Sequence, residues 1–227
     1  MLWKEAAEFV GNRRFLRVFA IAVLLLGLLP TLEAHKGAAT GAALLLDVIY
    51  VVLSGVIVVA QTAPDLVVRE RSGRTLEYLL ATRLPEAAIF GGKILIAATV
   101  GYLSAMLTVA VQLLSHGLLG GAWTWSFLAL PQGRLIALVL PLVLAVYLST
   151  VGTFVALRVG DQRSAYMVTM LSLVVLALPF LLRLVTIHVT MPWLWEALGV
   201  LAAVVAVLVV VGFRLLRREM LVLYLQE

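Results

Sequence analysis

Among the 12 acidic residues of this 227-residue chain, Asp47 alone falls inside a long apolar stretch. At 1.5 Å per helical residue it lies roughly 9 Å from the nearer end of that stretch. An ionised aspartate at the centre of a bilayer costs about 2.5–3.5 kcal/mol on insertion scales, and less near an interface, so Asp47 must face protein or water. Two roles follow for it: a structural ion pair with Arg183, which lies at a similar depth in a later stretch, or a contact in a translocation path. His35, His116 and His188 all map to one side of the apolar stretches, but their surroundings carry no metal-ligand spacing, so no metal or haem site is expected. The absence of cysteine removes disulfides, thiol catalysis and cysteine metal sites. Gly91-Gly92-Lys93-Ile94 resembles the end of a phosphate-binding loop, yet Ala87 stands at the leading glycine position and Ile94 at the Ser/Thr position. The chain is therefore not expected to hold ATP. With no HExxH and no GxSxG, the remaining enzyme reading is an intramembrane one using Asp47, and it lacks a second intramembrane carboxylate or histidine. The expectation is that the chain is not an enzyme and holds no cofactor.

The elements that must position these residues follow from composition. Hydrophobic residues make up 63% of the chain and charged ones only 13%, with a mean hydropathy of +1.12; an ordinary soluble domain is about 45–50% apolar. Six apolar stretches are long enough to cross a bilayer, near 15–32, 41–63, 94–118, 135–157, 165–187 and 197–213. The predicted fold is an all-α polytopic membrane protein with six transmembrane helices. Those spans consume roughly 120 of the 227 residues, which leaves no room for an ordinary soluble catalytic domain. The net charge of +5 is read by its placement in a membrane protein, not as a sign of nucleic acid. Of the 17 Lys and Arg residues, all but Lys36, Arg134 and Arg183 fall on the side of the two tails, which the positive-inside rule makes cytoplasmic. Trp123, Trp125, Trp193 and Trp195 cluster in the outer connections, where indole rings favour the interface.

Two further segments have their own pattern. Residues 1–13 place Leu2, Trp3, Ala6, Phe9 and Val10 to one side of a helix and Lys4, Glu5 and Glu8 to the other, which predicts a helix lying in the cytoplasmic interface. The cytoplasmic connection over 64–93 is about 30 residues long, with a short helix predicted from about Arg74 to Thr82. Leu76, Leu79 and Leu80 share one face of that helix. Ser72 and Gly73 suit a helix end, and Pro85 a new start. The leucine face could rest on the membrane or on the protein's own helices, or insert into a partner's groove.

Glu70-Arg71-x-x-x-Thr75-Leu76-Glu77-x-Leu79-Leu80-Ala81-Thr82, followed by Pro85 and Gly92-Lys93, resembles the loop signature of ATP-binding cassette type 2 membrane subunits. The pattern in that family is close to E-R-E-x-G-T-L-E-x-L-L-x-T-P, then G-K. Here Gly73 stands two positions before the threonine, and Arg83-Leu84 delays the proline. The resemblance implies a permease subunit of an exporter in a bacterial or archaeal plasma membrane, with both termini cytoplasmic. It implies a dimer with a second permease subunit, homo- or heteromeric, and a separate ATP-binding subunit that carries ATP and magnesium. The 74–82 helix then becomes a coupling helix between spans two and three. Leu76, Leu79 and Leu80 would supply its buried contact, and Glu70, Arg71, Arg74 and Glu77, with Thr75 among them, would orient it. A haem-exporter-like membrane subunit of cytochrome assembly, similar in length and topology, is the alternative within the same class.

Overall fold

The computed structural model describes residue 11 and residues 13–34, 40–73, 86–119, 131–159, 161–186 and 191–215. Every ordered element among them is helical, in the order α1 (Arg13–Ala34), α2 (Thr40–Ser72), α3 (Glu86–Leu119), α4 (Pro131–Arg158), α5 (Gln162–Thr186) and α6 (Met191–Leu215). Three helical segments, Asp47–Ser72, Ala87–Ser115 and Ala137–Arg158, are long and apolar enough to cross a membrane. The apolar stretches of the other three helices are shorter: Phe15–Leu29, Gln162–Leu176 and Leu198–Gly212. Six spans thus reduce to three at full length among the described residues. The shortfall falls where side chains lie outside the description, at 30–34, 177–186 and 191–195. The predicted interfacial helix over 1–13 lies almost wholly outside the described residues as well.

Many of the described helices turn large apolar side chains outwards: Leu103 of α3 is 56% exposed and Leu171 of α5 is 62% exposed. Exteriors of this kind suit hydrocarbon, because soluble monomers rarely expose contiguous apolar patches of more than a few hundred Å². In such surroundings the hydrophobic effect no longer drives one helix onto another, and association falls to close packing of small residues and to interhelical hydrogen bonds.

The chain divides into two compact units, one of Met1–Val59 with Thr99–Ala145 and the other of Ala60–Ala98 with Val146–Glu227. Within the first, α2 meets α3 through glycine. A Cβ on Gly55 would stand 3.1 Å from the Gly101 carbonyl oxygen, and one on Gly101 would stand 1.8 Å from Val59 Cγ2. Buried hydroxyls line the same seam. Thr108 donates to Ser54 Oγ at 2.8 Å, Ser54 donates to the Val51 carbonyl at 2.9 Å, and Ser104 reaches the Ser54 carbonyl at 3.4 Å. Further along, the buried Gln112 amide donates to the Asp47 carbonyl at 3.2 Å. The helix-to-helix contact is therefore small residues plus polar links, the combination expected where apolar attraction is weak.

Within the second unit, Val67 of α2, Ala156 of α4 and Ala165 of α5 form a fully buried cluster. Gly152 of α4 packs on α2 at Ala63 and Pro64, where a Cβ would come within 3.0 Å and 3.3 Å of their side chains. The sequence pattern opens a connection at Pro64, whereas α2 continues through that proline to Ser72. A proline inside a helix loses one backbone hydrogen bond and crowds the preceding turn. Here the close approach of Gly152 encloses the ring, and apolar surroundings leave the freed carbonyl no water to gain by unwinding. Phe154 in turn covers Gly212 of α6, whose added Cβ would lie 2.1 Å from the ring.

The glycine seam yields the first test. Val59 is β-branched and stiff in a helix, so Gly101→Ala is expected to destabilise the protein by about 1–3 kcal/mol through overpacking. Adding Val59→Ala should recover most of that loss. Thermal unfolding in mild detergent reads both, and a Gly101→Ala midpoint equal to that of the wild type would overturn the seam as a determinant of packing.

Candidate functional site

The chemistry concentrates where α2 ends and α3 begins, at either end of the segment that carries the motif. Lys93, eight residues into α3, is 1% exposed at its side chain and forms an ion pair with Glu70 of α2 at 2.7 Å. Its Nζ also donates to the Leu66 carbonyl at 3.0 Å. A desolvated ammonium has to be neutralised and given acceptors for its protons. Glu70 supplies the charge, and the Leu66 carbonyl, one turn earlier on α2, supplies a second acceptor. The neighbouring Phe90 and Ala97 are fully buried and Ile89 and Ile94 nearly so, which keeps water from the ammonium.

The next residue reaches the other way. Arg71 Nη1 donates to the Leu157 carbonyl at 3.3 Å. Leu157 lies in the last turn of α4, where carbonyls lack intrahelical partners and the helix end carries partial negative charge. A guanidinium placed there satisfies both deficits. Val159 N–H closes the same end by donating to the Val155 carbonyl at 2.8 Å. The last turn of α2 is finished by the Gly73 N–H and the Ser72 hydroxyl, both donating to the Arg69 carbonyl at 2.9 Å and 3.0 Å. Arg69 itself lies 51% exposed beside Asp65 at 2.7 Å, a surface pair one turn apart.

After α4 the chain turns within a few residues into α5, and Asp161 caps that helix. Its Oδ2 accepts from the Ser164 N–H and the Ser164 hydroxyl, each at 3.0 Å. The Ser164 N–H, followed by the hydroxyl, holds the Asp161 carboxyl below its ordinary value of 3.8. Gln61, Asp161, Gln162, Arg163 and Tyr166 line a shallow cleft of about 330 Å³ beside this cap.

Of the residues singled out by the sequence, Glu70 and Arg71 come into this arrangement. Arg74, Thr75, Leu76, Glu77, Leu79 and Leu80 lie outside the described residues, as do His35, His188 and the side chain of His116. Asp47 is half-buried on α2 with its carbonyl bonded to Gln112. The side chain of Arg183 lies outside the described residues, so the Asp47–Arg183 pair is not among the contacts seen. Sequence reasoning read Lys93 as a cytoplasmic basic residue and, with Gly92, as the end of the motif, and missed its pairing with Glu70. The available signal was a lone cation inside an otherwise apolar helical run, Ile89 to Ala98, which burial would force into a pair. No protein-family model matches the chain, and no curated protein matches it.

Two outcomes test this geometry. Lys93→Met leaves the Glu70 carboxylate buried without its cation and should cost about 3–5 kcal/mol, while Lys93→Met combined with Glu70→Leu should return close to wild-type stability. Equal stability of the single variant and the wild type in detergent unfolding would contradict the buried pair. For Asp161, a depressed folded pKa means that its contribution is complete above the unfolded value and fades as pH falls toward the folded one. The gap in unfolding midpoint between wild type and Asp161→Ala should therefore narrow as pH drops from about 7 to about 3. A gap that does not change with pH would show that the carboxylate is not the cap.

Proposed function

We propose that the chain is the permease subunit of an ATP-binding cassette type 2 exporter, working as a dimer of permease subunits on a separate ATP-hydrolysing subunit. On this reading the six helices are six spans in a plasma membrane, with both termini and the connection between α2 and α3 cytoplasmic. Residues 1–13 form an interfacial helix, and the 74–82 stretch is the coupling helix that seats Leu76, Leu79 and Leu80 in the partner's groove. The observation that carries the proposal is the Glu70–Lys93 ion pair. These two residues sit at opposite ends of the family-like motif, and their 2.7 Å contact fastens α2 to α3 where the connection leaves one and enters the other. A segment slung between two helices can pass on a push only if its two attachment points are held together; otherwise the connection absorbs the displacement. The helices it joins are apolar over lengths sufficient to cross a membrane, Asp47–Ser72 and Ala87–Ser115. ATP and magnesium belong to the partner chain, and this one converts the partner's closure into rearrangement of its spans.

The test is purification of the tagged chain from native membranes in mild detergent, scored by ATP hydrolysis and by the mass of a co-eluting nucleotide-binding subunit. Wild-type chain should bring both. Glu77→Lys with Leu79→Asp, which reverses a charge at the rim and puts a carboxylate into the apolar contact, should lower recovered ATPase at least about tenfold. Absence of any nucleotide-binding subunit, or undiminished recovery with the double variant, would overturn the proposal.

A further inference from the structure

We infer that the motif has two halves with different work: Glu70 and Arg71, with Lys93, are positioning residues that join three helix ends into one body, while the residues after Gly73 make the contact with the partner. This inference rests on the permease reading. It changes the assignment of Glu70 and Arg71, which that resemblance would place at the rim of the partner contact.

The geometry behind it is the opposed reach of two consecutive side chains. Glu70 holds Lys93 of α3 at 2.7 Å, and Arg71 holds the Leu157 carbonyl at the end of α4 at 3.3 Å. Lys93 closes the arrangement by donating back to α2 at the Leu66 carbonyl. Beneath these links, Val67, Ala156 and Ala165 are fully buried in one cluster. Two connections join α2 to α3 and one joins α2 to α4, so the ends of α3 and α4 cannot leave α2 without breaking a desolvated charge contact or uncapping a helix. Glu70 is 19% exposed and committed to Lys93, which leaves its carboxylate ill placed to orient a partner at a rim. A displacement delivered to the 74–85 connection then reaches three helices together instead of bending one.

The absence of cysteine in the chain makes the test direct. Leu95→Cys and Leu171→Cys place spin labels on α3 and α5 at exposed positions away from the contacts above. The complex with its co-purified ATPase subunit, in bilayer nanodiscs, is measured by pulsed dipolar spectroscopy without nucleotide and with ATP plus vanadate. The labelled wild type should show a nucleotide-dependent change in distance. Glu70→Leu with Lys93→Met removes both charges together and so avoids the unfolding expected of either single change. It should bind the ATPase subunit as the wild type does, yet show a distance change at least about twofold smaller. Arg71→Met should do likewise, and Arg71→Lys, which keeps a donor for the Leu157 carbonyl, should restore it. An unchanged nucleotide response in these variants, or loss of ATPase binding from them, would overturn the inference. If the labelled wild type recovers no ATPase subunit or gives no response, the failure lies with the permease reading itself.

Discussion

A single buried ammonium organises the described end of this molecule. Lys93 cannot be left in an apolar interior unaccompanied, because several kcal/mol of lost hydration must be offset by a counter-charge and by acceptors for its protons. The fold meets the demand by bringing Glu70 and the Leu66 carbonyl of α2 against α3. Once Glu70 is so committed, the helical phase of α2 is fixed at its last turn. Arg71 then has to leave from another side of the helix, and there it meets the unsatisfied carbonyls of α4. The register of three helix ends follows from the need to neutralise one cation. Leucines at both 70 and 93 would pack at comparable cost but would leave that register unspecified. Specification of geometry, more than net stability, is what a buried pair of this kind supplies.

Elsewhere the helices are joined by different means. At the Gly55–Gly101 crossing the backbones approach so closely that no side chain fits between them, and Ser54, Ser104 and Thr108 hydrogen-bond across the remaining gap. Such contacts are short-ranged and lose their value with a shift of about an ångström. The ion pair, by contrast, keeps much of its attraction over a longer distance in a low-dielectric interior. The two types of joint therefore resist different motions: glycine packing resists sliding and rotation, while the charge contact resists separation.

The helical character of the fold was legible in the sequence because an apolar run of sufficient length has few other outcomes. Its ends were less so. Pro64 reads as a boundary on local grounds, but α2 passes through it because Gly152, distant in sequence, leaves room for the ring. The motif made Glu70 and Arg71 visible as candidates without indicating what they touch. Lys93 was harder still, since α3 is apolar on nearly all sides and its periodicity gives no inward face on which a lysine would stand out. The partner is 23 positions earlier on another helix, and only the three-dimensional packing brings the two together. Asp161 was overlooked because the turn before α5 is short and charged, a composition that reads as solvated surface; the signal was its position three residues before a serine at the start of an apolar helix.

The position of the charge contacts matters as much as their presence. Residues 74–85 are short relative to the helices they join, and their apolar positions are concentrated on one predicted face. Glu70 and Lys93 meet among buried apolar side chains, where water and salt screen their attraction little. At an exposed surface, water and salt would have reduced each contact to about a fraction of a kcal/mol. Glu70 lies in the last turn of α2 and Lys93 about two turns inside α3, and burial there lets a single pair fix how the two helices meet.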